Sequence, residues 1–172
     1  LRKGWEFELV DKFKLSNDHL LSSLQSKYIK FLQFLKDFPE YKKYRSITYI
    51  DHTIKISKDE AKRLKSLFLS NKKIFMISSY QGYLANQSIE NACKSHQRYR
   101  KSYKQTKDWI NYHLSHKKMP SPPQEYATGF IMYKNYKSLI PLLENVYKTI
   151  WDLRQPHCQT IWAVLITWHI KD

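Results

Sequence analysis

Ser46-Ile47-Thr48-Tyr49-Ile50-Asp51 is a run of β-branched and aromatic residues that ends in a carboxylate. Such side chains suit a pleated, buried surface, so the run predicts an interior strand that delivers Asp51 to a sheet edge. The stretches on either side follow a different period. Upstream, from Leu20, apolar residues recur at Leu21, Leu24, Tyr28, Phe31, Leu32 and Leu35, which predicts a helix with one apolar stripe, capped by Asn17 or Ser16 and ended by Pro39. Downstream, Ser57-Lys58-Asp59-Glu60 matches the capping box, in which serine and glutamate satisfy orphan amides reciprocally, and Ala61, Leu64, Leu67 and Phe68 form the helix face that follows.

The alternation continues along the chain. Ile74-Phe75-Met76-Ile77 predicts a second interior strand, and the segment from Ser88 places Ile89, Ala92, Cys93, His96 and Tyr99 on one helical stripe that resumes, after a break, through Trp109, Ile110 and Leu114. Met119-Pro120-Ser121-Pro122-Pro123 is a loop, because proline lacks the amide a helix needs. Tyr126 to Tyr133 predicts a strand in which Gly129 permits close approach to the backbone. Ser138 caps a helix with Pro141 in its first turn and Leu142, Leu143, Val146, Tyr147, Ile150 and Trp151 as its stripe; a last helix runs from about His157 to Trp168. Near the front, Trp5-Glu6-Phe7-Glu8-Leu9 alternates as a half-buried strand does. Strands alternating with helices predict an α/β fold with a mostly parallel sheet flanked by helices, where ligands bind beyond the carboxyl ends of strands. No repeat or linker divides the chain, so residues 1–172 are expected to form a single domain.

Composition narrows the classes. A chain of 172 residues can bury roughly 70% of its unfolded surface without disulfide or metal staples. Hydrophobic residues at 42% and aromatics at 15% are too many for intrinsic disorder, and 3 glycines leave no room for a phosphate-cradling glycine loop. The longest apolar run, Ile161 to Ile166, is far short of the roughly 20 residues that span a bilayer. Cys93 and Cys158 form no disulfide framework, which favours a reducing compartment and a cytoplasmic location. The chain starts at Leu1 with no signal-peptide pattern and is expected to be cut from something longer.

Thirty Lys+Arg against 15 Asp+Glu give a net charge of +15, which invites a nucleic-acid reading. Most of that charge is scattered lysine, whereas bidentate reading of bases belongs to arginine. The densest cluster, with Arg98, Arg100, Lys101 and Lys104 interleaved with Tyr99 and Tyr103, has the pattern of a single-strand-binding stripe and equally that of a solvated helix flank. A basic face of this kind also suits an anionic surface, whether lipid at the inner face of a membrane or an acidic acceptor.

Four segments, in order, are similar to one family. Tyr49-Ile50-Asp51-His52-Thr53-Ile54-Lys55-Ile56, preceded by Phe38-Pro39-Glu40-Tyr41-Lys42-Lys43-Tyr44, together with the helix holding Glu90 and Tyr99, Thr128-Gly129-Phe130-Ile131-Met132-Tyr133, and Gln155-Pro156-His157-Cys158-Gln159-Thr160-Ile161-Trp162, resembles the glycosyltransferases related to the plant mucilage and turgor-regulation enzymes and their bacterial homologues. The resemblance covers most of residues 4 to 168. It implies a GT-A-like fold and transfer of a hexose from a nucleotide-sugar donor to a glycan or other acceptor. A Mn2+ or Mg2+ ion would bridge the diphosphate to Asp51, as a hard cation on oxygen ligands neutralises charge growing on the leaving group. It further implies donor or diphosphate contacts for Asp51, Thr53 and Gly129 and catalytic roles for Glu90 and Gln159.

Departures from the family pattern are specific. Thr53 stands where a second carboxylate of a metal-binding pair belongs, His157 stands where relatives often carry an acid, and the first β-α unit is missing before Gly4. The resemblance therefore leaves open a truncated member or an inactive remnant, and the rival class is a non-catalytic nucleic-acid-binding module. Each residue also has a plainer role: Asp51 as a turn residue, Glu90 and Gln159 as polar first-turn groups, His52 and His157 as scaffold or surface imidazoles.

Overall fold

The computed structural model describes residues 14–38, 43–116, 121–134 and 139–169. The strand expected at Trp5–Leu9, the helix stop at Pro39 and the cap at Ser138 lie outside them. Helix α1 (His19–Tyr28) is capped by Asp18, whose Oδ1 accepts from the Leu21 amide at 2.7 Å. The expected cap, Ser16, instead accepts from the Asp18 amide at 3.1 Å, one step outside the helix. Helix α1 runs on through a π-helical turn at Ile29–Gln33 into a short α2 (Phe34–Lys36). The wider turn brings four successive residues, Lys30 to Gln33, into the interior, which the 3.6-residue period of a surface helix would not do.

Strand β1 (Ser46–Ile50) leads through α3 (Lys58–Ser70) to β2 (Phe75–Leu84). The capping box forms as read: the Glu60 amide donates to Ser57 Oγ at 3.2 Å, and the Ser57 amide donates to Glu60 Oε2 at 3.0 Å. Ala61 and Phe68 are buried, but Leu67 is 53% exposed, so the apolar face is narrower than expected. Ser57→Ala is expected to cost about 1 kcal/mol, and Ser57→Gly a few tenths, measured by urea unfolding.

Helices α4 (Ala85–Ser95), α5 (Gln97–Arg100) and α6 (Tyr103–His116) follow; the break falls at His96, which is extended at φ −137° and ψ 120°. Strand β3 (Gln124–Lys134), α7 (Leu139–Asp152) and α8 (Cys158–His169) complete the described chain. None of these helices is long and apolar enough to cross a membrane.

The α/β class holds, but the mostly parallel sheet does not appear among the described residues. Three strands lie in the order β1-β3-β2, and both pairings are antiparallel, Ile47 opposite Tyr133 on one side and Phe75 opposite Tyr133 on the other. Since β1 and β2 both oppose β3, they run in the same direction. The β1-α3-β2 pattern therefore encodes two codirectional strands, as alternation predicts, with β3 inserted between them. Strand β3 takes the centre because Ile131, Met132 and Tyr133 are apolar on both faces and fully buried.

One sheet face, with Ile47, Tyr49, Phe75, Ile77, Ile131 and Tyr133, packs against α1, the π turn, α7 and α8. Trp162 of α8 lies at the middle of this layer, stacked on Phe31 at 5.4 Å and edge-on to Phe75 at 5.7 Å. On the opposite face the Lys134 ammonium sits 5.1 Å from the Phe68 ring, which places α3 there.

Candidate functional site

Asp51 follows the last residue of β1 and keeps its register: its amide donates to the Gly129 carbonyl of β3 at 2.8 Å. The side chain leans toward the helical layer, where the Tyr49 hydroxyl donates to Oδ1. Burial and the neighbouring carboxylate push the Tyr49 phenol far above its ordinary range, so it remains a donor. A side chain at position 129 would collide there, since a Cβ would lie 2.8 Å from Ile54 Cδ1 and 3.0 Å from Asp51 Oδ2. Glycine keeps this carboxylate in place.

The second partner of Asp51 comes from the π turn. Lys30 is only 4% exposed, and its ammonium lies 3.6 Å from Asp51 Oδ2, 3.4 Å from Thr128 Oγ1 and 4.8 Å from the Tyr49 ring centroid. Asp51 is 36% exposed, so the pair is buried at its cationic end and open to solvent at its anionic end. A buried ammonium persists only with partners, and carboxylate, hydroxyl and aromatic face supply them.

Thr128 reaches this layer through an irregularity in β3. The register against β2 slips between Ile77, opposite Ile131, and Ser78, opposite Ala127. Strict alternation would put Thr128 and Ile131 on opposite faces; the bulge turns both to the helices. Thr128 Oγ1 lies 3.2 Å from Cys158 Sγ, at the first residue of α8. Burial pushes the Cys158 thiol up, but Lys30, Lys27 and the Thr128 hydrogen bond together bring it below its ordinary value.

Farther back along β3 sits a second polar group. Glu125, 3% exposed, accepts from Ser88 Oγ of α4 through Oε2, while its Oε1 lies 3.6 Å from His157 Nε2 and has no hydrogen-bond partner. Thr160 Oγ1 donates to the Ala85 carbonyl at 3.5 Å, so His157 Nδ1, 2.9 Å away, is assigned as the donor to Thr160. His157 Nε2 is then the bare nitrogen facing Glu125. Burial pushes the Glu125 carboxyl up, and burial with the charges of Lys27, Arg98 and His96 lowers His157 to about 4. Both shifts run against an ion pair, which would move each group the other way.

The structure brings some of the expected site residues together. Asp51 and Gly129 touch; Thr53 is exposed in the turn after Asp51; Gln159 is half-buried in the first turn of α8, next to Cys158. Glu90 lies mid-helix rather than in a first turn, exposed, 3.6 Å from Lys94. The inward group of α4 is Ser88. Arg100 donates to the Cys93 and Lys94 carbonyls at 2.7 and 3.0 Å, closing the end of α4, and Arg98 lies over the Tyr99 ring at 4.9 Å. Lys101 and Lys104 are exposed, but Tyr99 is 9% exposed and presents no open face for a base.

Lys30 and Glu125 were not singled out from sequence. One lysine among 30 basic residues carries no signal of burial, although the crowded apolar residues Phe31, Leu32, Phe34 and Leu35 are more than a single stripe accommodates. A divalent ion at Asp51 would need further oxygen ligands. Asp51 Oδ2 faces an ammonium and Oδ1 a phenol, and among the described residues no three His, Cys, Asp or Glu groups converge to hold a metal. These residues do not fit a protein-held divalent cation. Compared with family models, curated proteins and solved structures, the chain matches none.

Proposed function

We propose that this chain is a glycosyltransferase-type domain of GT-A-like lineage, binding a nucleotide-activated sugar beyond the end of β1 and transferring the sugar to a glycan or other hydroxyl acceptor. The observation that carries the reading is the partly open Asp51 carboxylate, set opposite side-chain-free Gly129 and against the buried ammonium of Lys30. Sugar transfer from a diphosphate builds negative charge on the leaving group, and a preorganised cation stabilises that charge without reorganisation. Side-chain-free Gly129 leaves the space over the strand to Asp51 and Ile54, and so holds the carboxylate where a ligand would meet it. Gln159, at the mouth of α8, is a hydrogen-bonding group for donor or acceptor, and Thr53 is a second one in the adjoining turn. Glu90 is given no part, because it faces solvent beside Lys94. A cytoplasmic place near the inner membrane face suits both a nucleotide-sugar donor and a strongly basic surface.

Calorimetric titration of the full chain with uridine, guanosine and adenosine diphosphate sugars tests this. At least one donor is expected to bind saturably, and Gly129→Ala, which displaces Asp51 or Ile54, is expected to weaken it about tenfold. Glu90→Gln is expected to leave it unchanged. No binding by any donor, or full binding by Gly129→Ala, would overturn the reading.

A further inference from the structure

We propose that the surface where α5 meets α6, joined by the loop between α7 and α8, is a docking face for an anionic lipid bilayer. It does not depend on the donor site. From Asn91 to Lys107 the chain carries Lys94, Arg98, Arg100, Lys101, Lys104 and Lys107 and no acidic residue. Lys94 lies 3.6 Å from Glu90, and Arg100 is engaged by the Cys93 and Lys94 carbonyls. Arg98, Lys101, Lys104 and Lys107 are exposed and form no ion pair among the described residues. Lys104 and Lys107, three residues apart, share one side of α6, and Lys101, helical at φ −59° and ψ −35°, precedes them at the same step.

A fifth exposed cation is held beside them against backbone strain. Helix α7 ends in a Schellman turn, in which the Arg154 amide donates to the Trp151 carbonyl at 3.1 Å and the Gln155 amide to the Ile150 carbonyl at 3.0 Å. The residue after such a cap is ordinarily glycine, because its φ is positive. Here it is arginine at φ 52°, the one non-glycine residue of positive φ among the described residues. Buried polar contacts tie this loop to α5 and α6. Ser102 Oγ donates to the Arg154 carbonyl at 3.0 Å. The fully buried Gln155 places Nε2 3.0 Å from Ser102 Oγ and 3.3 Å from both the Tyr99 carbonyl and Thr106 Oγ1. Arg154 is thus fixed next to the segment that carries Lys101. It is exposed, with its guanidinium 5.2 Å from the Trp151 ring centroid, while the neighbouring acid, Asp152, pairs with Lys148.

The chemistry of this face favours lipid headgroups over nucleic-acid bases. Single strands bind by stacking on open aromatic faces, and Tyr99 is buried with Arg98 over its ring. The other rings of the face, Tyr103 below Lys107 and Trp151 below Arg154, are half-buried, as amphipathic rings are where they lie at headgroup level. Each Lys or Arg brought close to an anionic leaflet raises affinity about fivefold, and salt screens the effect.

The test is co-sedimentation of the full chain with vesicles of phosphatidylcholine alone, and of phosphatidylcholine with about one-third phosphatidylglycerol. Binding is expected to the anionic vesicles only, and to fall as salt rises. Lys101→Gln, Lys104→Gln and Lys107→Gln together are expected to lose about a hundredfold in affinity. Lys58→Gln, Lys62→Gln and Arg63→Gln, an equal loss of charge on α3 across the sheet, are expected to lose less than about fivefold. Arg154→Gly separates docking from folding. It relieves the positive φ, so the urea midpoint is expected to rise while vesicle affinity falls about fivefold. Equal losses from the two triple changes, full binding by Arg154→Gly, or no binding to anionic vesicles would overturn the assignment. So would tighter binding to single-stranded DNA than to anionic vesicles at the same salt, which would make the face a nucleic-acid surface.

Discussion

Trp162→Ala is expected to destabilise the fold by about 3–5 kcal/mol, the largest effect of any single substitution considered for this chain. Trp162 is fully buried, stacked on Phe31 at an interplanar angle of 14° and edge-on to Phe75 and Tyr133. It joins α8, the π turn, β2 and β3 in one contact, so truncation leaves a cavity that no single element can collapse to fill. The indole Nε1 is buried without a hydrogen-bond partner. A donor in that condition costs about 1–3 kcal/mol, so Trp162→Phe, which keeps a ring and removes the N–H, is expected to cost only about 1–2 kcal/mol. Urea unfolding of the two variants checks the pair. A phenylalanine as costly as the alanine would mean that the retained ring volume recovers nothing and that the shape of the indole itself sets the effect.

Acidification is expected to remove about 3 kcal/mol of stability through His157 alone, as its folded value falls from an ordinary 6.5 to about 4. The folded chain resists protonation that the unfolded chain accepts. Stability from this group is therefore complete above pH 6.5 and lost as pH falls toward 4. Glu125 has the opposite sign: burial raises its folded value, so its contribution is present in acid and lost as pH rises through that raised value. Urea unfolding across pH 4 to 8 should show His157→Gln losing less than the wild type on acidification. Glu125→Gln should gain on the wild type as the solution becomes alkaline. Wild-type slopes in both variants would show that the pair is charged, or solvated, in the folded chain.

Much of the secondary structure is legible in residue order because it depends on neighbours. The Ser57 to Glu60 capping box, the stripe from Leu142 to Ile150 and the helix starting at Cys158 all follow from contacts within one or two turns. Asp51 and Gly129 are legible for a similar reason: a carboxylate after a β-branched run and a glycine within another are both unusual enough to stand out. The Ser16 and Asn17 caps failed against Asp18 because three adjacent residues can each accept from the first-turn amides, and only the chain's entry angle chooses among them.

The sequence by itself determined an α/β chain, the helix boundaries to within a few residues, and the carboxylate at the end of the first described strand. Tertiary structure alone decided that β3 enters between β1 and β2, that a bulge turns Thr128 toward α8, and that Lys30 sits beside Asp51. The physical reason is range. Periodicity and capping are settled by groups a few residues apart, whereas Lys30 and Thr128 meet across 98 positions, and the free energy of that meeting depends on burial that no local pattern records.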